Sequence, residues 1–247
     1  EILTYTEVSE VAGEAGDFTV TLTKKPRYVI EDRCTGCTTC VEYCPVEVPD
    51  PFNQELSGNK AIHIYFSQAV PLVPYIDDRC LYLQDEKCSI CEGVCKNQAI
   101  NLRQKPEKQL LKVGAIVLSP GYGVFDPKLR GDYGYGEHEN VVTSLELERM
   151  LNASGPTRGH VVRPSDHKEP KRVAWIQCVG SRDVNQAGHA YCSSVCCMYA
   201  LKQSVMAKEH SPDPLTCAIF YMDLRAAGKD FDRYLESAAA HGVRLVR

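Results

Sequence analysis

The sequence predicts an α/β protein of Rossmann type, interrupted by an inserted small α+β domain rich in cysteine. Three observations carry that expectation. Past residue 171, apolar strand-like runs alternate with helical periodicity, as in parallel βαβ units. Residues 27–103 gather eight of the thirteen cysteines and are far too long for a loop. A chain of 247 residues with 44% apolar content can also bury more than one core.

The chain opens within a strand-like pattern at Glu1, and residues 18–22, Phe-Thr-Val-Thr-Leu, alternate as a half-buried strand does. Lys24-Lys25-Pro26 marks the boundary with the cysteine-rich segment, in which Ala61 to Phe66 alternate as a further strand. Lys112 to Leu118 read as a buried strand closed by the turn Ser119-Pro120-Gly121. Thr143 and Glu146 form a capping box that opens a helix through Leu151, ending before Gly155-Pro156. Residues 155–170 carry three prolines and no periodicity, and are expected to be a linker. The alternating region then comprises a strand over Arg172–Val179, a helix over 192–209 and a buried strand over Thr216–Met222. A helix over Asp230–Ala240 and a strand from Val243 complete it. In the first of these helices, Val195, Met198, Leu201 and Val205 recur at helical spacing. The ends suggest an internal piece of a longer protein.

Composition excludes several classes. A net charge of −4, a pI near 6.0 and scattered Lys and Arg give no footprint for nucleic acid. No apolar run approaches the roughly 18–20 residues that span a bilayer, and there is no signal peptide. An odd, tightly spaced set of cysteines points to metal-bound thiolates in a reducing, cytoplasmic setting rather than to a secreted disulfide framework. The seven histidines are scattered singly and form no acid–base constellation.

The run Cys34-x2-Cys37-x2-Cys40-x3-Cys44-Pro45 is that of bacterial ferredoxins with two 4Fe–4S clusters, the fourth cysteine serving the other cluster. Cys80, Cys88, Cys91 and Cys95 supply the second set. The pairing that follows is Cys34, Cys37, Cys40 and Cys95 on one cluster, and Cys80, Cys88, Cys91 and Cys44 on the other. A zinc ribbon or a set of disulfides would not account for eight cysteines in these triplets. Two departures stand out. Seven residues, Leu81 to Lys87, separate Cys80 from Cys88, so a loop is expected to bulge there. Lys96 follows Cys95 where proline is usual, and its charge should favour the more negative, reduced cluster.

Four cysteines remain near the end of the first strand of the alternating region and at the helix that follows: Cys178, Cys192, Cys196 and Cys197. No G-x-G-x-x-G phosphate turn occurs there; the sequence reads Cys178-Val-Gly-Ser-Arg-Asp183. Cys192 and Cys196 would share a helical face directed away from the apolar stripe, near a helix N-terminus that favours anions. From spacing alone three readings compete: a nonstandard Fe–S site, a thiol–disulfide site, or buried structural thiols. Asp223 is expected in a loop or capping role, and Cys217 as a buried thiol with no function.

The blocks "KPRYVIEDRCTGCTTCVEYCPVEVP", "GAIVLSPG", "VTSLELERMLNASGPTRGHVVRPSD", "VAWIQCVGSRD" and "YCSSVCCMYALKQ" resemble the A-subunit family of heterodisulfide reductases of anaerobic archaea and bacteria. The resemblance covers essentially the whole chain. It implies a thioredoxin-reductase-like flavoprotein core, with residues 1–26 and 104–170 in an FAD-binding domain and its linker. Residues 27–103 would be the inserted ferredoxin domain and 171–247 a truncated Rossmann-like domain. Cys178, Cys192, Cys196 and Cys197 would bind a third 4Fe–4S cluster. Gly114 and Ser119, Pro120, Gly121 and Tyr122 would touch FAD, although a strand followed by Pro-Gly is often only a turn. The family's FAD glycine motif would lie before Glu1. The implied function is electron transfer through 4Fe–4S clusters to or from FAD, in a complex of a kind that can bifurcate electrons. Other subunits of that complex, hydrogenase, formate dehydrogenase or ferredoxin would be its partners. The competing functions are a thiol–disulfide oxidoreductase using Cys196 or Cys197, and a ferredoxin-like electron-transfer module without catalysis.

Overall fold

Two strands, β1 (Thr6–Glu14) and β2 (Asp17–Lys24), pair as an antiparallel hairpin in the computed structural model, which describes residues 1–185 and 189–247. The alternation expected over 18–22 is present: Val20 and Leu22 are buried while Thr19, Thr21 and Thr23 face the other way. β1 is an exposed edge whose Glu7, Glu10 and Glu14 disfavour pairing with another chain. The chain forms two compact units, Glu1–Gly121 and Tyr122–Arg247.

In the first unit the cysteine-rich segment follows β2, and all its elements are short. They are α1 (Thr39–Glu42), β3 (Glu47–Pro49), β4 (Gly58–Lys60), β5 (Ile62–His63), β6 (Tyr75–Ile76), α2 (Leu81–Asp85) and α3 (Ile90–Val94). β3 pairs with β4 and β5 with β6, both antiparallel. A bridge between Val29 and Ile100 closes the neck of the segment, with the Ile30 amide donating to Ala99 at 2.7 Å. Inside are Val29, Val48, Ile62, Val73, Ile76 and Ile100, all buried. The strand expected over Ala61–Phe66 shrinks to β5, since of these residues Ile62 and His63 alone pair in a strand, with β6. The loop expected to bulge between Cys80 and Cys88 is instead mostly the helical turn α2, ended by Glu86 at φ +58°. His63 is structural. Its Nδ1 donates to the Lys60 carbonyl at 2.6 Å, which leaves Nε2 to accept from the Tyr75 hydroxyl at 2.8 Å. Burial holds its pKa below the ordinary value.

The segment hands the chain to β7 (Glu107–Val113), antiparallel to β2 in the order β1-β2-β7. Here the expectation for Lys112–Leu118 fails. The strand ends at Val113, the next residues have no regular structure, and Val117 and Leu118 are 90% and 83% exposed. An apolar run becomes a buried strand only where neighbouring strands accept its hydrogen bonds, and no strand of the described residues pairs with it.

The second unit contains α4 (Ser144–Leu151), opened by the expected capping box: the Glu146 amide donates to Thr143 Oγ1 at 3.2 Å, and Glu146 accepts from the Thr143 amide. Thr143→Ala is expected to cost about 1 kcal/mol, read as faster amide exchange in the first turn of α4 and a lower urea midpoint. Residues 155–171 have no helix or strand. Then come β8 (Arg172–Ile176), α5 (Cys196–His210), β9 (Thr216–Phe220), α6 (Asp232–Ala240) and β10 (Arg244–Val246). The three strands form a parallel sheet in the order β10-β9-β8. One face meets the helices in a core of Leu147, Leu151, Trp175, Leu201, Cys217, Ile219, Ala238 and Val243. Gln203, 2% exposed, links three elements: it accepts from Trp175 Nε1 and donates to Ser144 O and to Glu148. Cys217 lies within that core with its thiol pushed up to about 11 by burial.

Two expectations for this unit are corrected. The strands are not buried on both faces, for Ile176, Phe220 and Met222 are 45–49% exposed. Helix α5 starts at Cys196, so Cys192 lies before it and shares no helical face with Cys196. Ser194 at φ +62° is left-handed, a conformation no right-handed helix admits. The buried stripe of α5 is also displaced, running through Cys197, Ala200, Leu201, Ser204 and Ala207, while Val195 is 48% exposed.

Candidate metal centres

The cysteine-rich segment encloses two hollows. One is lined by Cys34, Cys37, Cys40 and Cys95, with Thr35, Thr39 and Asn97 among its other walls. The second is lined by Cys44, Cys80, Cys88 and Cys91 together with Pro45, Val46, Ile62, Ile76 and Ile90. The geometry thus groups the cysteines as the spacing pairs them. Among the described residues, no three His, Cys, Asp or Glu converge on the position of one metal ion. The thiols surround space instead.

Local folding places each sulfur. α1 carries Cys40, and α3 carries Cys91 while delivering Cys95 at its end; Cys80 precedes α2. Burial pushes the Cys40 thiol up to about 11 and the Cys91 thiol up to about 12. Cys37 is exposed, and the Thr39 hydroxyl, 3.5 Å away, holds its pKa below the ordinary value. The Gly36 amide donates to Cys34 Sγ at 3.4 Å and the Ala99 amide to Cys95 Sγ at 3.2 Å. Lys96 is exposed, so solvent screens its charge and its influence is weaker than that of donors in direct contact with sulfur.

In the second unit Cys178 leaves the end of β8 at φ +62°, and Cys196 and Cys197 form the first turn of α5. The Ser181 hydroxyl donates to Tyr191 O at 2.9 Å and accepts from the Ser193 amide at 3.2 Å, drawing the segment that bears Cys192 to the loop after Cys178. Cys196 is hydrogen-bonded to Cys197 and to the Cys178 backbone. The Cys197 thiol pulls Cys196 down to about 6, and the same bond, with burial, pushes Cys197 up. Cys178 is raised by burial and by Cys196, against the guanidinium of Arg182. Arg182 is ion-paired to Asp223, which also meets Arg225 at 3.5 Å. Asp223 lies in a loop, one of the two roles expected for it, and there it anchors cations beside the cysteines. Left-handed backbone at Cys178, Arg182 and Ser194 concentrates conformational cost in this one place.

Residues 27–50 match the family described as 4Fe-4S binding domain. Over its whole length the chain is 48% identical to the A-subunit of the H(2):CoB-CoM heterodisulfide,ferredoxin reductase of Methanothermobacter thermautotrophicus, covering 37% of that protein. It is 50% identical to the iron-sulfur A-subunit of the CoB–CoM heterodisulfide reductase of Methanocaldococcus jannaschii, again covering 37%. The chain belongs to the A-subunit family of heterodisulfide reductases. It is also 44% identical to the A-subunit of the Ferredoxin/F(420)H(2)-dependent CoB-CoM heterodisulfide reductase of Methanosarcina acetivorans, spanning 30% of it.

Four thiols around each hollow match in kind and number the donors that a 4Fe–4S cluster takes. Bound iron would also supply the positive charge that buried Cys40 and Cys91 need in order to ionise. The residues fit the group. Gly114, Ser119, Pro120 and Gly121 lie on an irregular exposed segment, and Tyr122 is 73% exposed. No helix of the described residues is long and apolar enough to cross a membrane. Sequence reasoning missed the donors Thr35, Thr39 and Asn97 and the cation Arg182. Thr35 and Thr39 stand within the first cysteine run and Arg182 four residues after Cys178, but a ligand spacing says nothing about which neighbours face a sulfur.

Proposed function

We propose that this chain carries single electrons through 4Fe–4S clusters to or from FAD, within the A-subunit of a heterodisulfide-reductase-type complex. The observation that supports it is the pair of cysteine-ringed hollows, each drawing three sulfurs from one segment and one from the other. Cys34, Cys37, Cys40 and Cys95 would hold one cluster and Cys44, Cys80, Cys88 and Cys91 a second. Cys178, Cys192, Cys196 and Cys197 would hold a third, in a Rossmann-like domain whose phosphate turn is missing. Such clusters supply one-electron redox steps when bound. The chain's own part is to hold them, exclude water through Ile62, Ile76 and Ile90, and set their surroundings. FAD would be held largely by the rest of the full-length protein, with Gly114 and Ser119–Tyr122 along one side, and electron pairs would divide there between two paths. Hydrogenase, formate dehydrogenase or ferredoxin would exchange electrons with the complex; the names of the relatives cite H2, formate, ferredoxin and F420H2.

One observation favours a second reading for the third site. The Cys197 thiol beside Cys196 pulls its pKa down, which favours the thiolate form that a nucleophile needs. Iron and sulfide counts on the anaerobically purified full-length protein separate the two. Cys178→Ala should lose about four irons and keep the rest. A variant that retains all its iron but loses thiol-exchange activity would establish the oxidoreductase instead.

A further inference from the structure

The two hollows differ in what surrounds their sulfurs. In the first, Cys34 and Cys95 accept from the amides of Gly36 and Ala99 at 3.4 and 3.2 Å, and Cys40 from that of Val41. Cys37 meets the hydroxyls of Thr35 and Thr39, and Asn97 Nδ2 donates to Thr35 Oγ1 at 3.2 Å, which orients that hydroxyl. In the second, the walls other than cysteine are Pro45, Val46, Ile62, Ile76 and Ile90. The donor there is the Glu92 amide on Cys91, while Cys44 is directed toward the Val46 carbonyl at 3.7 Å, an acceptor. Exposure runs the same way: Cys37 is exposed, whereas Cys80 and Cys91 are buried.

Adding an electron makes a thiolate-bound cluster more negative. Hydrogen-bond donors and solvent stabilise that extra charge, and an aliphatic wall does not. We propose that the two sites are unequal in potential, with the Cys34/Cys37/Cys40/Cys95 site accepting the electron first and Thr35, Thr39 and Asn97 acting as the positioning residues that make it so. This rests on the cluster reading above and adds a direction to it. One electron leaves the Cys44 ring as one arrives at the Cys34 ring, with no bond made or broken and no proton needed. The site with the exposed sulfur is thereby the resting place of a single electron, and the aliphatic one is the relay behind it.

The test is an anaerobic potentiometric titration followed by EPR on the full-length protein, with iron counted on every sample. Two separate waves are expected from the insert. Thr39→Val should move the upper wave downward and leave the lower one in place, and Thr39→Ser, which keeps the hydroxyl, should restore it. Ile90→Thr, which adds a donor to the aliphatic hollow, should move the lower wave upward. With iron content unchanged, a Thr39→Val protein whose lower wave moves, or whose waves both stay put, overturns the proposal, as does a single shared potential in the parent protein. An iron count that leaves the insert without two clusters defeats the underlying cluster reading and is recognised before any potential is measured.

Discussion

Anaerobic removal of iron from the full-length protein is expected to unfold residues 27–103 while the parallel sheet of β8, β9 and β10 keeps its amide protection. The insert has little else to stand on. Its helices and strands are two to five residues long, and its aliphatic core is a small set of side chains around the two cysteine-lined hollows. Below about 70–80 residues, a core alone rarely supplies more than about 3–5 kcal/mol. A structural metal contributes on the order of 10 kcal/mol in small domains, because the site is assembled only in the folded state. Without iron, little stability is left to hold the insert folded. The sheet is different: Trp175, Leu201, Cys217 and Ile219 are packed against α4, α5 and α6 in a continuous core and need no ligand. Hydrogen exchange read by mass spectrometry checks this. Segments containing Ile62 and Ile76 should lose protection on chelation, and those containing Cys217 and Ile219 should keep it. Continued protection at Ile62 and Ile76 would mean that the aliphatic core suffices.

Gly180→Ala is expected to destabilise the second unit strongly. Gly180 is buried at φ +72°, where a side chain already costs about 1–2 kcal/mol. A Cβ built there lies 2.3 Å from the Phe125 ring, so the ring must move, at a further cost of roughly 1–3 kcal/mol. Against a domain stability of about 5–15 kcal/mol, that sum is a large fraction. Because Gly180 stands two residues after Cys178, the strain also reaches the four-cysteine site. A lower melting temperature and a loss of iron confined to that site should appear together. Adding Phe125→Ala should recover the steric part only, leaving the backbone part. If Gly180→Ala melts like the parent protein, the close approach of Phe125 has no energetic weight.

What the sequence made legible was local. The cysteine triplets rest on spacings of two and three residues, and the capping box on two residues three apart; both are set by short-range geometry. The order of strand and helix after residue 171 was equally readable, because each element carries its own period. What stayed hidden needed information from elsewhere in the chain. The run at 115–118 declares a preference for burial but cannot say whether a strand lies beside it. The start of α5 was misplaced because Val195 continues the apolar period, whereas the left-handed backbone at Ser194 ends it. Arg182 and Asp223 are far apart in sequence, and only the parallel pairing of β8 with β9 carries the two strand ends to one side.

The crossed lining of the two hollows bears on how the protein is made. A nascent chain that has emerged as far as Cys44 presents four thiols, yet it completes neither ring, for the first awaits Cys95 and the second awaits Cys80, Cys88 and Cys91. Iron delivered during translation would meet only partial sites. On the cluster reading proposed above, loading of the first ring would wait until the ribosome has released the insert through Cys95.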